Sequence, residues 1–181
     1  MQDGVEQMRE IILDIETTGL NPSYSKIVSI GILEVGKDTA RVWMGEEKEI
    51  LLILGNYIDS LLREHDLSDI ILIGWRIEDF DIPFLEIRGL LYGVDFSLLD
   101  RMRTVDLSTD FCLPVQLHSR DVAFMLGIEA APESGASIPL YYVSGKRELI
   151  KEHNMKDLYM IRDIWLQVKN VWKHRYGEDR L

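Results

Sequence analysis

The chain has 181 residues, 46% of them apolar, and a formal charge of −11 at neutral pH. That length and apolar content suit one globular domain, residues 1–181, with a core large enough to need no covalent staples. The sole cysteine, Cys112, excludes an internal disulfide and a multi-cysteine zinc cage, and the acidic balance argues against a broad basic surface that grips nucleic acid through its phosphates.

In chain order, Glu10 to Ile15 reads EIILDI, a run apolar enough for a strand covered on both faces, and the turn-forming TTGLNPS follows it. Lys26 to Val35 is β-branched and ends at Gly36, and Ala40 to Met44 continues after a short turn, so these three strands are expected to form an antiparallel meander. From Glu46 to Glu64 the period changes. Ile50, Leu54, Tyr57, Ile58, Leu61 and Leu62 recur at helical spacing, with acids gathered near the N-terminal end. A fourth strand is expected over Ile70 to Trp75, a helix over Asp81 to Tyr92 and a fifth strand over Thr104 to Leu107. Ser119 is the expected N-cap of a short helix that runs to Leu126 and stops at Gly127. Ala130 to Gly145 lacks periodicity and carries Pro132, Gly135 and Pro139, which predicts a long loop, and Lys146 to Arg175 reads as a last helical region with a break near His153 and Asn154. Antiparallel strands followed by strands alternating with helices predict an α/β fold, a mixed sheet flanked by helices.

No uncharged apolar run approaches the ~20 residues needed to cross a bilayer, so a membrane role has no support. The N-terminus lacks the ordered charged, apolar and small regions of a signal peptide, and the cytoplasm is the expected location.

Chemistry is concentrated in carboxylates. Asp14 and Glu16 stand two apart on the first strand, so both point to one face at its C-terminal end. Acids so close repel one another, and a divalent cation such as Mg²⁺ or Mn²⁺ relieves the repulsion. Asp81 lies where a strand delivers the chain to a helix with Pro83 in its first turn, a place where a carboxylate also serves as a helix cap. On the last helix Tyr159 and Asp163 are four apart, and His153 and Asp157 have the same spacing. The two pairs are offset by six residues, about 240° of helical rotation, so only one of them can face a common site squarely.

Three segments taken together resemble the motifs of the DEDD superfamily of 3′-to-5′ exonucleases, in that family's order. IILDIETTGL resembles the first motif, with Asp14 and Glu16 as its acids. IGWRIEDFDIPFL resembles the second as it occurs in the proofreading domains of family B DNA polymerases and related stand-alone nucleases, with Asp81 as the acid. YMIRD resembles the third in its tyrosine form, with Tyr159 and Asp163. The family usually carries Asn where this chain has Arg76, which alters contacts expected near the substrate backbone.

The resemblance implies a ribonuclease-H-like fold. It also implies a pair of Mg²⁺ or Mn²⁺ ions held by Asp14, Glu16, Asp81 and Asp163, with Tyr159 orienting the attacking water. Thr17, Thr18 and Leu20 would contact the terminal nucleotide, and Phe80 or Trp75 would offer a face on which a base stacks. The expected substrate is the 3′ end of single-stranded DNA or RNA, or a short oligonucleotide, and a protein partner or a second copy of the chain is compatible with the acidic surface. The alternatives are a non-catalytic nucleic-acid-binding scaffold on the same fold and an oligonucleotide-specific ribonuclease.

Overall fold

The computed structural model describes residues 8–37, 39–110 and 117–176, with side chains described as far as residue 171. Cys112 lies outside these residues. Five strands form one sheet: β1 (Arg9–Thr17), β2 (Ile27–Glu34), β3 (Arg41–Met44), β4 (Ile70–Gly74) and β5 (Arg103–Asp106). Their order is β3-β2-β1-β4-β5. The first three pair antiparallel, and β4 and β5 add on parallel to β1. The mixed α/β sheet expected from the sequence is therefore present.

The alternating faces of β1 explain how helices cover the sheet. Ile11, Leu13 and Ile15 face one side, where α1 (Glu47–Glu64) and α2 (Ile82–Tyr92) supply Leu51, Leu54, Phe84 and Leu85 to a single core. Ile12 faces the other side together with Ile71, Ile73 and Val105. There α3 (Ser119–Leu126) and α5 (Arg147–Tyr176) contribute Ala123, Leu158, Ile161 and Trp165. Asp14 and Glu16 share this second face, so they stand at the point where the apolar floor under α5 gives way to polar groups.

Three expectations need correction. The long loop of 130–145 contains a short helix, α4 (Ile138–Val143), whose Ile138 and Tyr141 pack against Val28 and Ile150; Pro139 sits in its first turn, where the missing N–H is harmless. The last helix is unbroken, because His153 and Asn154 both turn inward to polar partners, which keeps them compatible with helix. His118, not Ser119, caps α3, and the Asp121 carboxylate accepts the His118 N–H; Gly127 ends the helix at φ +69°, as expected. Among the described residues no helix is long and apolar enough to cross a membrane.

Candidate active site

β1 ends in an irregularity. Glu16 pairs with Ser29 but Thr17 pairs with Ile27, so one residue of β2 is skipped immediately after Glu16. Such bulges bend a strand and re-aim its side chains. Pairing between β1 and β4 has already stopped at Ile12 and Ile73, which leaves the Ile15 N–H without a strand partner on that side. The Asp81 carboxylate accepts that hydrogen bond at 3.0 Å. Asp81 thus seals the strand edge beside Asp14 and Glu16 and does not cap its own helix.

The route to Asp81 is held by an acid the sequence reading did not single out. Asp106, buried at the end of β5, accepts hydrogen bonds from the backbone N–H groups of Arg76, Glu78 and Ser108 and from the Ser108 hydroxyl. It pins the turn after β4, in which Ile77 folds back over Gly74 and a π-type turn (Ile77–Asp81) leads into α2. Arg76 adopts φ +60°, the only left-handed non-glycine residue among those described. An Asn, usual at this position in the family that the motif resembles, enters that region more readily than an Arg.

From the other side α5 supplies His153, Asn154 and Asp157. Asn154 is fully buried and donates from Nδ2 to both the carboxylate and the carbonyl oxygen of Asp14, while its Oδ1 accepts the Ser29 hydroxyl. Gly31, opposite Asp14 on β2, makes room for this amide, since a Cβ there would lie 2.5 Å from Asn154 Oδ1. His153 Nε2 lies 3.2 Å from Asp157 Oδ2 and 3.7 Å from Glu16 Oε1. Ligand atoms of Glu16, His153 and Asp157 all fall within 4.8 Å of one another.

The electrostatics mark this as an unneutralised cluster. Burial, then the charges of Asp157 and Asp81, holds the Asp14 carboxyl well above its usual range, against the opposing hydrogen bond from Asn154. Glu16 is likewise raised, by burial and by Asp14, Asp157 and Asp81. Asp81 is raised by burial and by Asp106, although the Ile15 N–H pulls the other way. Glu16 Oε1 and His153 Nε2 are buried and have no hydrogen-bond partner. Buried polar atoms left in that state are costly, so their exposure to one small space suits a cation or water between them. Gly135 covers that space, and a Cβ on it would lie 3.9 Å from both Glu16 Oε2 and His153 Nε2. The donor set, several carboxylates and one imidazole, fits a divalent ion.

The structure therefore brings Asp14, Glu16 and Asp81 together but places the other two expected members elsewhere. Asp163 lies about one and two-thirds turns beyond Asp157, about 9 Å along the helix and about 240° around it. Its carboxylate pairs with Arg162, in the stretch of α5 where Trp165 and Lys169 meet Glu10 near the start of β1. Tyr159 turns toward β3, where its hydroxyl accepts the Ala40 N–H and its ring lies under Arg162. The register chosen for the third motif is corrected accordingly: the residues of α5 that face the acids are His153 and Asp157.

The expected substrate contacts divide in a similar way. The Thr17 hydroxyl donates to the Gly19 carbonyl and the Thr18 hydroxyl accepts the Lys26 N–H, so both brace the loop between β1 and β2. That loop is also tied from behind, because Arg88 of α2 bonds the Pro22 carbonyl while paired with the buried Glu47, which accepts the Ile27 N–H. Leu20 projects from it with 85% of its surface exposed. Phe80 packs against Phe84 at 5.4 Å, and Trp75 lies against the core beneath α5, each of them partly buried.

Three kinds of similarity agree with this architecture. Residues 11–164 match the family model RNase_H_2 of the RNase H superfamily. A curated but uncharacterized protein of Methanocaldococcus jannaschii is 39% identical over 85 residues, 47% of this chain and 44% of that protein. Among solved structures, the family B DNA polymerase of Pyrobaculum calidifontis superposes with a TM-score of 0.75 at 15% identity, over 90% of this chain and 24% of the polymerase. Escherichia coli exonuclease I in complex with a dA16 oligonucleotide superposes with a TM-score of 0.60 at 13% identity, over 91% of this chain and 41% of that enzyme. A product-bound structure of exonuclease I gives a TM-score of 0.57 at 14% identity, over 91% of this chain and 44% of that one. The chain thus spans less than half the length of each of these proteins, and at such identities the structural likeness concerns the fold.

Proposed function

Because the chain belongs to the RNase H superfamily, we propose that it is a divalent-metal-dependent 3′-to-5′ exonuclease acting on single-stranded nucleic acid, with Asp14, Glu16, Asp81 and Asp157 as the metal-binding acids. The observation that carries this reading is the pair of buried atoms that make no hydrogen bond, Glu16 Oε1 and His153 Nε2, facing each other at 3.7 Å beside three further carboxylates. Phosphodiester hydrolysis needs an activated water and relief of the charge that builds on the phosphate oxygens, and Mg²⁺ or Mn²⁺ ions bound to such acids supply both.

The chain's own groups supply the rest. Asn154 fixes the Asp14 carboxylate by donating to it, and Asp81, bound to the Ile15 N–H, is held to one rotamer at the edge of the strand. His153, whose Nε2 points into the space beside Glu16, receives the proton of the attacking water at that nitrogen, whereas the Tyr159 hydroxyl is turned toward Ala40. Asp157, 3.2 Å away, stabilises the imidazolium that results. Leu20, exposed on its braced loop, stands ready to pack against the terminal nucleotide.

The test is digestion of 5′-labelled single-stranded DNA and RNA with Mg²⁺, Mn²⁺ or EDTA, beside Asp14→Asn and a circular substrate. The expected result is stepwise shortening from the 3′ end, absent in EDTA, in the variant and on the circle. Cleavage of the circle would make the protein an endonuclease, and binding without hydrolysis under every condition would make it a scaffold; either result rejects the proposal.

A further inference from the structure

A groove of about 760 Å³ opens beside the acidic cluster, and His153 and Asp157 form one end of it. Its walls are α3 and the segment from Ile128 to Gly135, tied together by a hydrogen bond from the Arg120 guanidinium to the Pro132 carbonyl. The surface is mixed: Ile128, Ala130, Ala131 and Pro132 form an apolar strip on one wall and Phe124 stands on the other, with polar and charged side chains between them. Phe124 is 85% exposed, an unusual position for a phenylalanine, and it is far more open than the partly buried Phe80 and Trp75.

Charge narrows the choice of occupant. Among the groups lining it, Arg120 is outnumbered by Asp121, Glu133 and Asp157, so the groove offers no positive surplus for a row of phosphates, in keeping with the −11 of the whole chain. A flat, apolar body with polar edges suits it better, and nucleobases have that character whatever their identity. The volume lies within the ~300–1,000 Å³ typical of small-molecule sites, which admits a short unpaired stretch.

We propose that this groove is the base-binding subsite of the same active site, in which Phe124 stacks on an unpaired nucleobase adjoining the nucleotide held at the acids. The inference rests on the exonuclease reading and specifies its substrate. The protein holds a short single-stranded end by its bases, and its grip depends little on salt.

The experiment uses the full chain, as wild type, Phe124→Ala and Phe124→Tyr, with single-stranded oligonucleotides that carry a normal base, 2-aminopurine or an abasic site next to the 3′-terminal nucleotide. Phe124→Ala is expected to raise KM by roughly five-fold to a hundred-fold, the size of one base–aromatic stack, with kcat little changed, and Phe124→Tyr to restore it. The abasic site should raise KM for wild type and leave Phe124→Ala unaffected, a coupling that a purely structural role would not produce. An unchanged KM in Phe124→Ala, or equal and independent penalties from substitution and abasic site, would overturn the inference. If wild type shortens no oligonucleotide, the exonuclease reading falls separately. Quenching of the 2-aminopurine by bound wild type, lost in Phe124→Ala, would still uphold the groove, and no quenching by wild type would remove it.

Discussion

Replacing Gly31 by Ala tests how tightly the active site depends on the approach of α5 to the sheet. A Cβ at this position would lie 2.5 Å from Asn154 Oδ1 and 2.8 Å from Leu158 Cδ1. Neither neighbour can yield easily. Asn154 is fixed by Ser29 and Asp14, and Leu158 is fully buried. To reach ordinary contact the helix must retreat by about 1 Å, and overpacking of this kind costs about 1–3 kcal/mol. The same retreat carries His153 and Asp157 away from Glu16, and a misplacement of about 1 Å at a reacting centre costs on the order of 10²-fold in rate. Urea unfolding and single-turnover hydrolysis of a labelled oligonucleotide measure the two effects on one preparation. Wild-type unfolding would show that α5 does not press on Gly31. Reduced stability with an unaltered rate would show that α5 carries none of the reacting groups.

Two further outcomes are expected. Asp14, Glu16 and Asp81 have carboxyl groups raised by burial and mutual repulsion, so the stability they allow is fully present below about pH 4, the unfolded range, and is lost as pH rises through their raised folded values. Without metal, the thermal midpoint of wild type should therefore fall relative to Asp14→Asn as pH rises toward neutrality, and Mn²⁺ should close the gap; parallel profiles in EDTA would contradict this. Arg76→Asn should raise stability by about 1 kcal/mol, because Asn accepts the left-handed backbone at φ +60° at less cost, and the backbone N–H bond to Asp106 is kept. Urea unfolding checks it, and an unchanged or lower midpoint would mean that the Arg76 side chain makes a compensating contribution.

The sheet was legible because its strands advertise themselves. The β1 run is apolar on both faces since helices cover both sides, and Gly36 and Gly127 mark the ends of a strand and a helix at positive φ. The first two acids were equally open to reading, since alternation on a strand places Asp14 and Glu16 on one face. Asp81 was legible in position but not in role, because its partner, the Ile15 N–H, is 66 residues away and becomes available only where pairing with β4 stops. Asp106 was hidden for the same reason.

The third motif turned on helix register, and a signal for it did exist. With Ile150 as origin and about 100° per residue, the buried Leu158, Ile161 and Trp165 fall at about 80°, 20° and 60°, and Asp157 at about 340°, on the same stripe. Tyr159 and Asp163 fall at about 180° and 220°, away from it. The spacing of tyrosine and acid matched the family motif, but the apolar stripe decides which face of α5 meets the sheet. What no periodicity could reveal is Asn154, a polar residue on the buried stripe that is stable there only because Ser29, Gly31 and Asp14 converge around it. Phe124 was obscured in the opposite sense, since a phenylalanine in a short amphipathic helix reads as core and not as an exposed groove wall.

The proposed metal site depends on one cluster of acids to which α5 presents Asp157 and not Asp163. Calorimetric titration of Mn²⁺ into wild type, Asp157→Asn and Asp163→Asn tests this directly. Wild type and Asp163→Asn should bind with similar affinity while Asp157→Asn binds far more weakly; the reverse order, or no heat of binding in wild type, would contradict it.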